Sequence, residues 1–200
     1  MIEGLRGQLL NILDYTWPTV VMGVIIAVLL RVTYLITEKK KIIIHDELFK
    51  LSFLIYIMFL FYVVTFQDVS WSSHNFIPFK EILRYDLGTN IFYKNTFGNM
   101  LLFLPYGVFI AKYVKTDKIS IVLLLAFITS LSIEVIQFLI GRVFDIDDII
   151  LNVLGCLIGY VFYRWFKKIN DKLPEFFRSD VFWNIVSILI LGGLVWFLIP

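Results

Sequence analysis

Cysteine and histidine are almost missing from this chain: its 200 residues include one cysteine and two histidines. The lone cysteine, Cys156, excludes a disulfide framework, and a structural metal site of the Cys/His kind has too few ligands. Charge is sparse too, at 17% of residues with a net balance of +2. The lysines and arginines scatter among loops and form no continuous face, which speaks against nucleic acid as a partner. No glycine-rich phosphate loop, Ser-His-Asp set or Cys-His pair is visible. The opening stretch MIEGLRGQLLNILDYTWP lacks a basic segment leading into an apolar core and small cleavage residues. No cleaved signal peptide is expected from it.

Apolar residues dominate instead. They make up 60% of the chain, and 18% of all residues are aromatic, whereas soluble domains are only about half apolar. Six stretches have the length and character of membrane spans: 17–36, 49–66, 97–114, 119–140, 149–166 and 181–199. Each approaches the roughly 20 apolar residues that a helix needs to cross a bilayer. Arg31 falls near one end of the first, where its long stem can reach the headgroups. The expected fold is all-α: a polytopic integral membrane bundle of about six helices, in a single domain over residues 1–200.

Loop charge gives an orientation. With each basic residue assigned to its nearest loop, thirteen of the eighteen lie on the side of the first, third and fifth loops. Basic loops tend to stay cytoplasmic. A multi-pass protein of the cell membrane with both termini extracellular is therefore expected. The second loop, with NFIPFKEILRYDLG at its centre, also carries Pro78, which suits the first turn of a helix. Beyond it Phe79, Ile82 and Leu83 share a face, the pattern of a short interfacial helix.

Against this apolar background, SIEVIQFLIGRVFDIDDIILNVLG at 132–155 collects Glu134, Gln137, Arg142, Asp145, Asp147, Asp148 and Asn152. On the assigned topology these residues, with Asn99, all lie near the outer leaflet. Ser130, Glu134 and Gln137 are spaced i, i+4, i+7 and form one stripe. Ser130 and Gln137 alone read as interhelical glue. Glu134 reads as functional, because glue needs no ionisable group and a charge inside a span costs on the order of 2.5–3.5 kcal/mol. Either Asp145 or Asp147 can cap the fifth helix, and an Arg142–Asp145 pair can occupy a second acid. Asn99 and Asn152 either reach the cluster or cap their own helices. Gly155 and Gly159 form a small-xxx-small stripe read as packing. The candidate catalytic residues are Glu134, Arg142, Asp145 and Asp148. Oxygen-rich clusters suit a divalent cation, but no spacing motif accompanies this one, so no cofactor or metal site is assigned. Arg142 also matches phosphate or carboxylate bidentately.

These residues also resemble a known family. NFIPF at 75–79, FGNMLLFLPYGVFIA at 97–111, SLSIEVIQ and GRVFDIDDIILNVLGCLIGY are similar in order and spacing to the pattern of VanZ-like membrane proteins. The matching positions are Asn75, Pro78, Phe79, Gly98, Asn99, Phe103, Pro105 and Gly107, then Glu134, Gln137, Arg142, Asp145, Asp148, Asn152 and Gly155. The serine of the fourth-helix pattern falls on Ser130 or Ser132. The likeness covers about 50–166 and leaves the flanking helices at 17–36 and 181–199 outside. It implies a role like that of a glycopeptide-resistance protein associated with reduced teicoplanin susceptibility in Gram-positive bacteria.

Together, residues and resemblance lead to one expectation. An outward-facing polar cleft formed by Asn75, Asn99, Glu134, Gln137, Arg142, Asp145, Asp147, Asp148 and Asn152 binds or acts on a membrane lipid or lipid-linked envelope component. Lipoglycopeptide antibiotics are then affected indirectly. The alternatives are a membrane enzyme modifying such a substrate and a small lipid transporter. The nearly apolar inner halves of the helices argue against the last.

Overall fold

The computed structural model describes residues 2–66, 74–84, 86, 89–114 and 116–198, with backbone alone for 2–16 and a few other helical positions. Residues 67–73, 85, 87 and 88 of the second loop, and Ile199 at the end of the last expected span, lie outside the described residues. Among the described residues seven α-helices follow one another: α1 Ile2–Thr37, α2 Ile44–Phe66, α3 Asn90–Val114, α4 Ile119–Leu139, α5 Ile146–Asn170, α6 Glu175–Arg178 and α7 Asp180–Leu198. Among the described residues there is no strand, only an isolated parallel bridge between Asn75 and Asp145. The protein is all-α and multi-pass.

All six expected spans fall on helices, and four of these helices start earlier than expected: α1 at Ile2, α2 at Ile44, α3 at Asn90 and α5 at Ile146. α1 does not begin at Trp17 but runs back to Ile2, continuing through Pro18. Leu5, Leu9, Leu10 and Leu13 are good helix formers, so the chain tolerates the one backbone bond that proline cannot donate. α5 begins three residues before Ile149 because Asp145 caps it. Among the described residues four segments are long and apolar enough to cross a membrane: Trp17–Thr37, Asn95–Val114, Ile119–Leu139 and Ile146–Asn170. α2 opens with charge, including Asp46 and Glu47 in its first turn, and the apolar stretch within α7 covers Asp180–Gly193. The helix expected after Pro78 is a single 3-10 turn, Ile82–Arg84.

The chain divides into two compact units: Met1–Tyr62 with Asn170–Pro200, and Val63–Ile169. In the first, Gly23 of α1 faces the Met58 side chain of α2. Arg31 and Glu47 join the same two helices at their polar ends through two hydrogen bonds of 2.7 and 3.0 Å. Asn184 of α7 accepts from the backbone N–H of His45 at 2.8 Å.

The second unit is built on backbone contact between α3 and α5, which run parallel. A Cβ at Gly155 would lie 2.1 Å from the Met100 carbonyl oxygen, and one at Gly159 2.0 Å from that of Leu104. From the other side, a Cβ at Gly107 would lie 1.9 Å from the Cys156 oxygen. Only residues without a side chain allow this approach. The Gly155/Gly159 stripe is thus packing, as its spacing indicates. α4 joins α3 through the Tyr106–Thr129 hydroxyl pair at 2.6 Å, beside the fully buried Phe103, Val122 and Ala126. Two contacts at the opposite end of α5 hold the α3–α4 connection: Tyr160 donates to the Thr116 carbonyl, and Arg164 pairs with Asp117. This frame fixes the ends of three helices relative to one another, and one set of those ends carries the polar residues.

Candidate functional site

α4 ends in a Schellman turn. Gly141 takes a left-handed φ of 84°, its N–H reaches the Phe138 carbonyl, and the Arg142 N–H reaches that of Gln137 at 2.9 Å. Glycine suits this position because a side chain would be strained there. The reversal returns Arg142 to the polar stripe of its own helix. With its amide oriented to satisfy both neighbours, Gln137 donates to Glu134 Oε1 at 2.9 Å and accepts from Arg142 Nη1 at 3.1 Å. Glu134 is 1% exposed. Its other oxygen accepts the Asp145 backbone N–H at 2.8 Å. The last turn of α4 and the start of α5 are therefore tied together through one carboxylate.

Asp145 ends the turn and caps α5, accepting the Asp147 N–H at 2.9 Å. The two capping candidates are thereby separated: Asp145 is the cap. Its carboxyl also accepts from Asn75 Nδ2 at 2.8 Å. Burial pushes this carboxyl above its ordinary range, and the hydrogen bonds from the Asp147 backbone and Asn75 oppose that push. Asn75 belongs to the second loop, 70 residues away, and is 2% exposed. Its backbone bridges the same turn, donating to the Phe144 carbonyl at 2.8 Å and accepting from Ile146 at 3.0 Å.

Asp147 does something different from either expectation. Its carboxylate, 1% exposed, accepts three backbone N–H groups of the second loop: Phe79, Glu81 at 2.7 Å and Ile82 at 3.1 Å. The loop turns at Pro78 and Phe79, with Lys80 N–H returning to the Ile77 carbonyl. Phe79 sits at φ 66°, a costly value for a bulky residue. Asp147 supplies the counter-force, since charge-assisted bonds to N–H groups are about twice as strong as neutral ones. The same strained residue stops a regular helix from starting at Pro78. The loop leaves Phe76, Ile77, Phe79 and Leu83 exposed.

The third layer joins all three helices. Asn99 of α3 donates to Asp148 Oδ1 of α5, and Asn152, one turn further along α5, donates to Ser130 Oγ of α4 at 2.9 Å. Both asparagines therefore reach across rather than cap. Asn152 is 4% exposed, and its Oδ1 has no hydrogen-bond partner. Asp148 stands among the acidic groups Glu134, Asp145 and Asp147, with Arg142 as counter-charge.

Asn75, Asn99, Glu134, Gln137, Arg142, Asp145, Asp147, Asp148 and Asn152 thus converge at one end of the second unit. Sequence reading assigned Ser130 to glue, and its bond to Asn152 agrees with that. His74 is exposed, but its Nδ1 accepts the Phe144 N–H at 3.1 Å, which adds a further stitch between loop and turn. Among the described residues no group of three His, Cys, Asp or Glu side chains is placed to hold a metal ion. Both oxygens of Asp147 are taken by backbone N–H groups of the second loop, and Oδ1 of Asp145 is taken by the Asp147 N–H and Asn75 Nδ2. What the arrangement offers is a concentration of carboxylate and amide oxygens around a half-buried guanidinium. Such an array can hold a ligand rich in hydrogen-bond donors.

No curated protein and no solved structure matches the chain. The family model described as VanZ/LLP1 matches residues 51–167, a stretch that takes in the polar cluster, the second loop and the glycine contacts of α3 and α5. With more than half of its length matched, the chain belongs to the VanZ/LLP1 family.

Proposed function

We propose that the polar end of α3, α4 and α5 opens toward the outside of the cell and binds or acts on an envelope component, so that teicoplanin-type lipoglycopeptides meet a less susceptible surface. The family match supports a membrane protein linked to antibiotic resistance. The observation that carries the finer reading is Glu134. A carboxylate 1% exposed on an apolar helix is costly, and hydrogen-bonded glue would need only an amide there. Its neighbours Asp145, Asp147 and Asp148 leave Arg142 outnumbered. This preponderance of carboxyl oxygens favours a ligand group that donates hydrogen bonds. A membrane lipid or lipid-linked cell-wall intermediate with amine or hydroxyl groups fits that description.

The orientation follows from the basic residues of the first, third and fifth loops, which on this reading stay cytoplasmic and leave both termini outside. In a variant with Cys156 replaced by serine, a cysteine at Asp86 should react with an impermeant thiol reagent applied to intact cells. One at Lys172 should not. The reverse pattern would place the polar cluster inside and remove this reading.

Expression in a susceptible Gram-positive host should raise tolerance to teicoplanin more than to vancomycin, because the lipid-anchored antibiotic works at the leaflet where the cluster opens. Arg142→Ala should abolish the protection at unchanged protein level, whereas Lys118→Ala should keep it. Equal protection by wild type and Arg142→Ala would reduce the cluster to a structural role.

A further inference from the structure

The first unit holds a feature that the polar cluster does not explain. α1 and α2 form an antiparallel hairpin, with Gly23 facing Met58 and Arg31 facing Glu47. Between their polar halves lies a groove of about 450 Å³. Its body is apolar, with Ala27, Val28, Val32 and Leu35 on α1 and Leu51 and Leu54 on α2. At its polar end stand Arg31, Glu47 and Lys50. Glu47 accepts from Arg31 Nε at 2.7 Å and from Lys50 Nζ at 2.6 Å, and these cations hold its carboxyl down at about 2. It is therefore charged throughout the physiological range. Over residues 31–50 five basic side chains, Arg31, Lys39, Lys40, Lys41 and Lys50, stand against three acidic ones, Glu38, Asp46 and Glu47. The side chains of Arg31 and Lys50 remain more than a third exposed.

We infer that this groove seats one anionic phospholipid, with an acyl chain along α1 and α2 and its phosphate against Arg31 and Lys50. Three observations favour this occupant. The groove lies against Trp17–Thr37, a membrane-spanning segment, so the medium around it is acyl chain. Its polar end belongs to a segment, 31–50, whose basic residues outnumber its acidic ones and include Lys39, Lys40 and Lys41, the arrangement that attracts anionic headgroups at a membrane surface. A second copy of this hairpin would bring the same sign of charge to the same place, and like charges across an interface are repulsive. Glu47 is the positioning residue. Its bidentate hold on Arg31 and its bond to Lys50 fix the two cations side by side, where each can also face a phosphate.

The test is native mass spectrometry of the full-length protein in detergent micelles, titrated separately with dioleoyl-phosphatidylglycerol and dioleoyl-phosphatidylcholine. The expected result is one tightly retained phosphatidylglycerol and weaker phosphatidylcholine binding. Lys50→Glu should weaken phosphatidylglycerol retention by about tenfold or more while sparing phosphatidylcholine. Lys172→Glu makes the same change of net charge away from the groove and should have no effect. Val28→Trp, at a half-exposed position, should fill the groove and reduce retention of both lipids. Ala27→Leu gives the same reading from the next position should the first variant fold poorly. Equal retention of the two lipids would overturn the inference, as would equal weakening by Lys50→Glu and Lys172→Glu, or groove-filling variants that bind like wild type. None of these results touches the polar cluster of the other unit.

Discussion

The two units of the chain spend their buried volume differently. Among the described residues, the unit over 63–169 buries five polar side chains: Asn75, Ser130, Glu134, Asp147 and Asn152. Among the described residues of the other unit only Leu35 and Leu60 are buried to that degree, and its charged groups, Arg31, Glu47 and Lys50, stay partly open. Its helices meet through flexible side chains such as Met58, whereas α3 and α5 meet backbone to backbone. Membrane helices gain little from the hydrophobic effect against one another, since lipid is as apolar as their side chains. The first unit is what that physics gives by default. The second departs from it twice, in close glycine contacts and in buried polar groups, and the departures occur together. Rigid packing is what allows a costly polar network to hold one geometry.

The contrast can be broken most severely at the glycines. Gly155→Leu drives a side chain into the Met100 carbonyl, which cannot yield, and should cost well beyond the roughly 1–3 kcal/mol usual for overpacking. Loss of monodisperse protein on size-exclusion chromatography is expected. Gly23→Leu in the first unit meets only the Met58 side-chain tip and should leave the elution profile unchanged.

Asp147 comes next. Asp147→Ala leaves three loop N–H groups without their acceptor, and each such buried group costs about 1–3 kcal/mol. The region around Phe79 should then become a site of rapid limited proteolysis. Asp147→Asn keeps one acceptor oxygen and should be cut at an intermediate rate. A cleavage rate equal to wild type in both variants would show that the loop is held by something else.

The smallest effect belongs to Glu47, whose ion pairs are partly exposed and contribute at most about 1 kcal/mol. Its folded value near 2 lies below its ordinary 4.5. The stabilisation is therefore present above about 4.5 and is lost as pH falls toward 2. Thermal unfolding should show a small deficit for Glu47→Gln at pH 7 that shrinks as pH is lowered to 3.

How much of this was legible in the sequence depended on chain distance. The spans could be read because apolar length needs no partner, and the six expected stretches fall on helices although α1, α2 and α3 start well before them. Eight residues of the cluster could be read because polar and charged side chains at the ends of apolar helices are conspicuous, and Asn75 only through the likeness to the family pattern. Their bonds could not. Asn75 pairs with Asp145 across 70 residues, and Asp147 clamps a loop 65 to 68 residues earlier. Short-range reasoning offers only helix capping for such an aspartate, and that was right for Asp145 and wrong for Asp147. Phe79 gave no sign of its left-handed backbone, since that conformation favours glycine or asparagine.

The central claim is that the second unit buries Glu134 for function and not for packing. Thermal unfolding of Glu134→Gln in the same lipid-detergent mixture as wild type tests it most directly, read beside teicoplanin protection at equal expression. Glutamine keeps an acceptor for the Asp145 N–H and removes a buried ionisable group. The account predicts a melting temperature equal to or above that of wild type, with protection lost. A fall of more than about 4 °C, the shift expected from roughly 1–2 kcal/mol in a protein of this size, with protection retained, would contradict it.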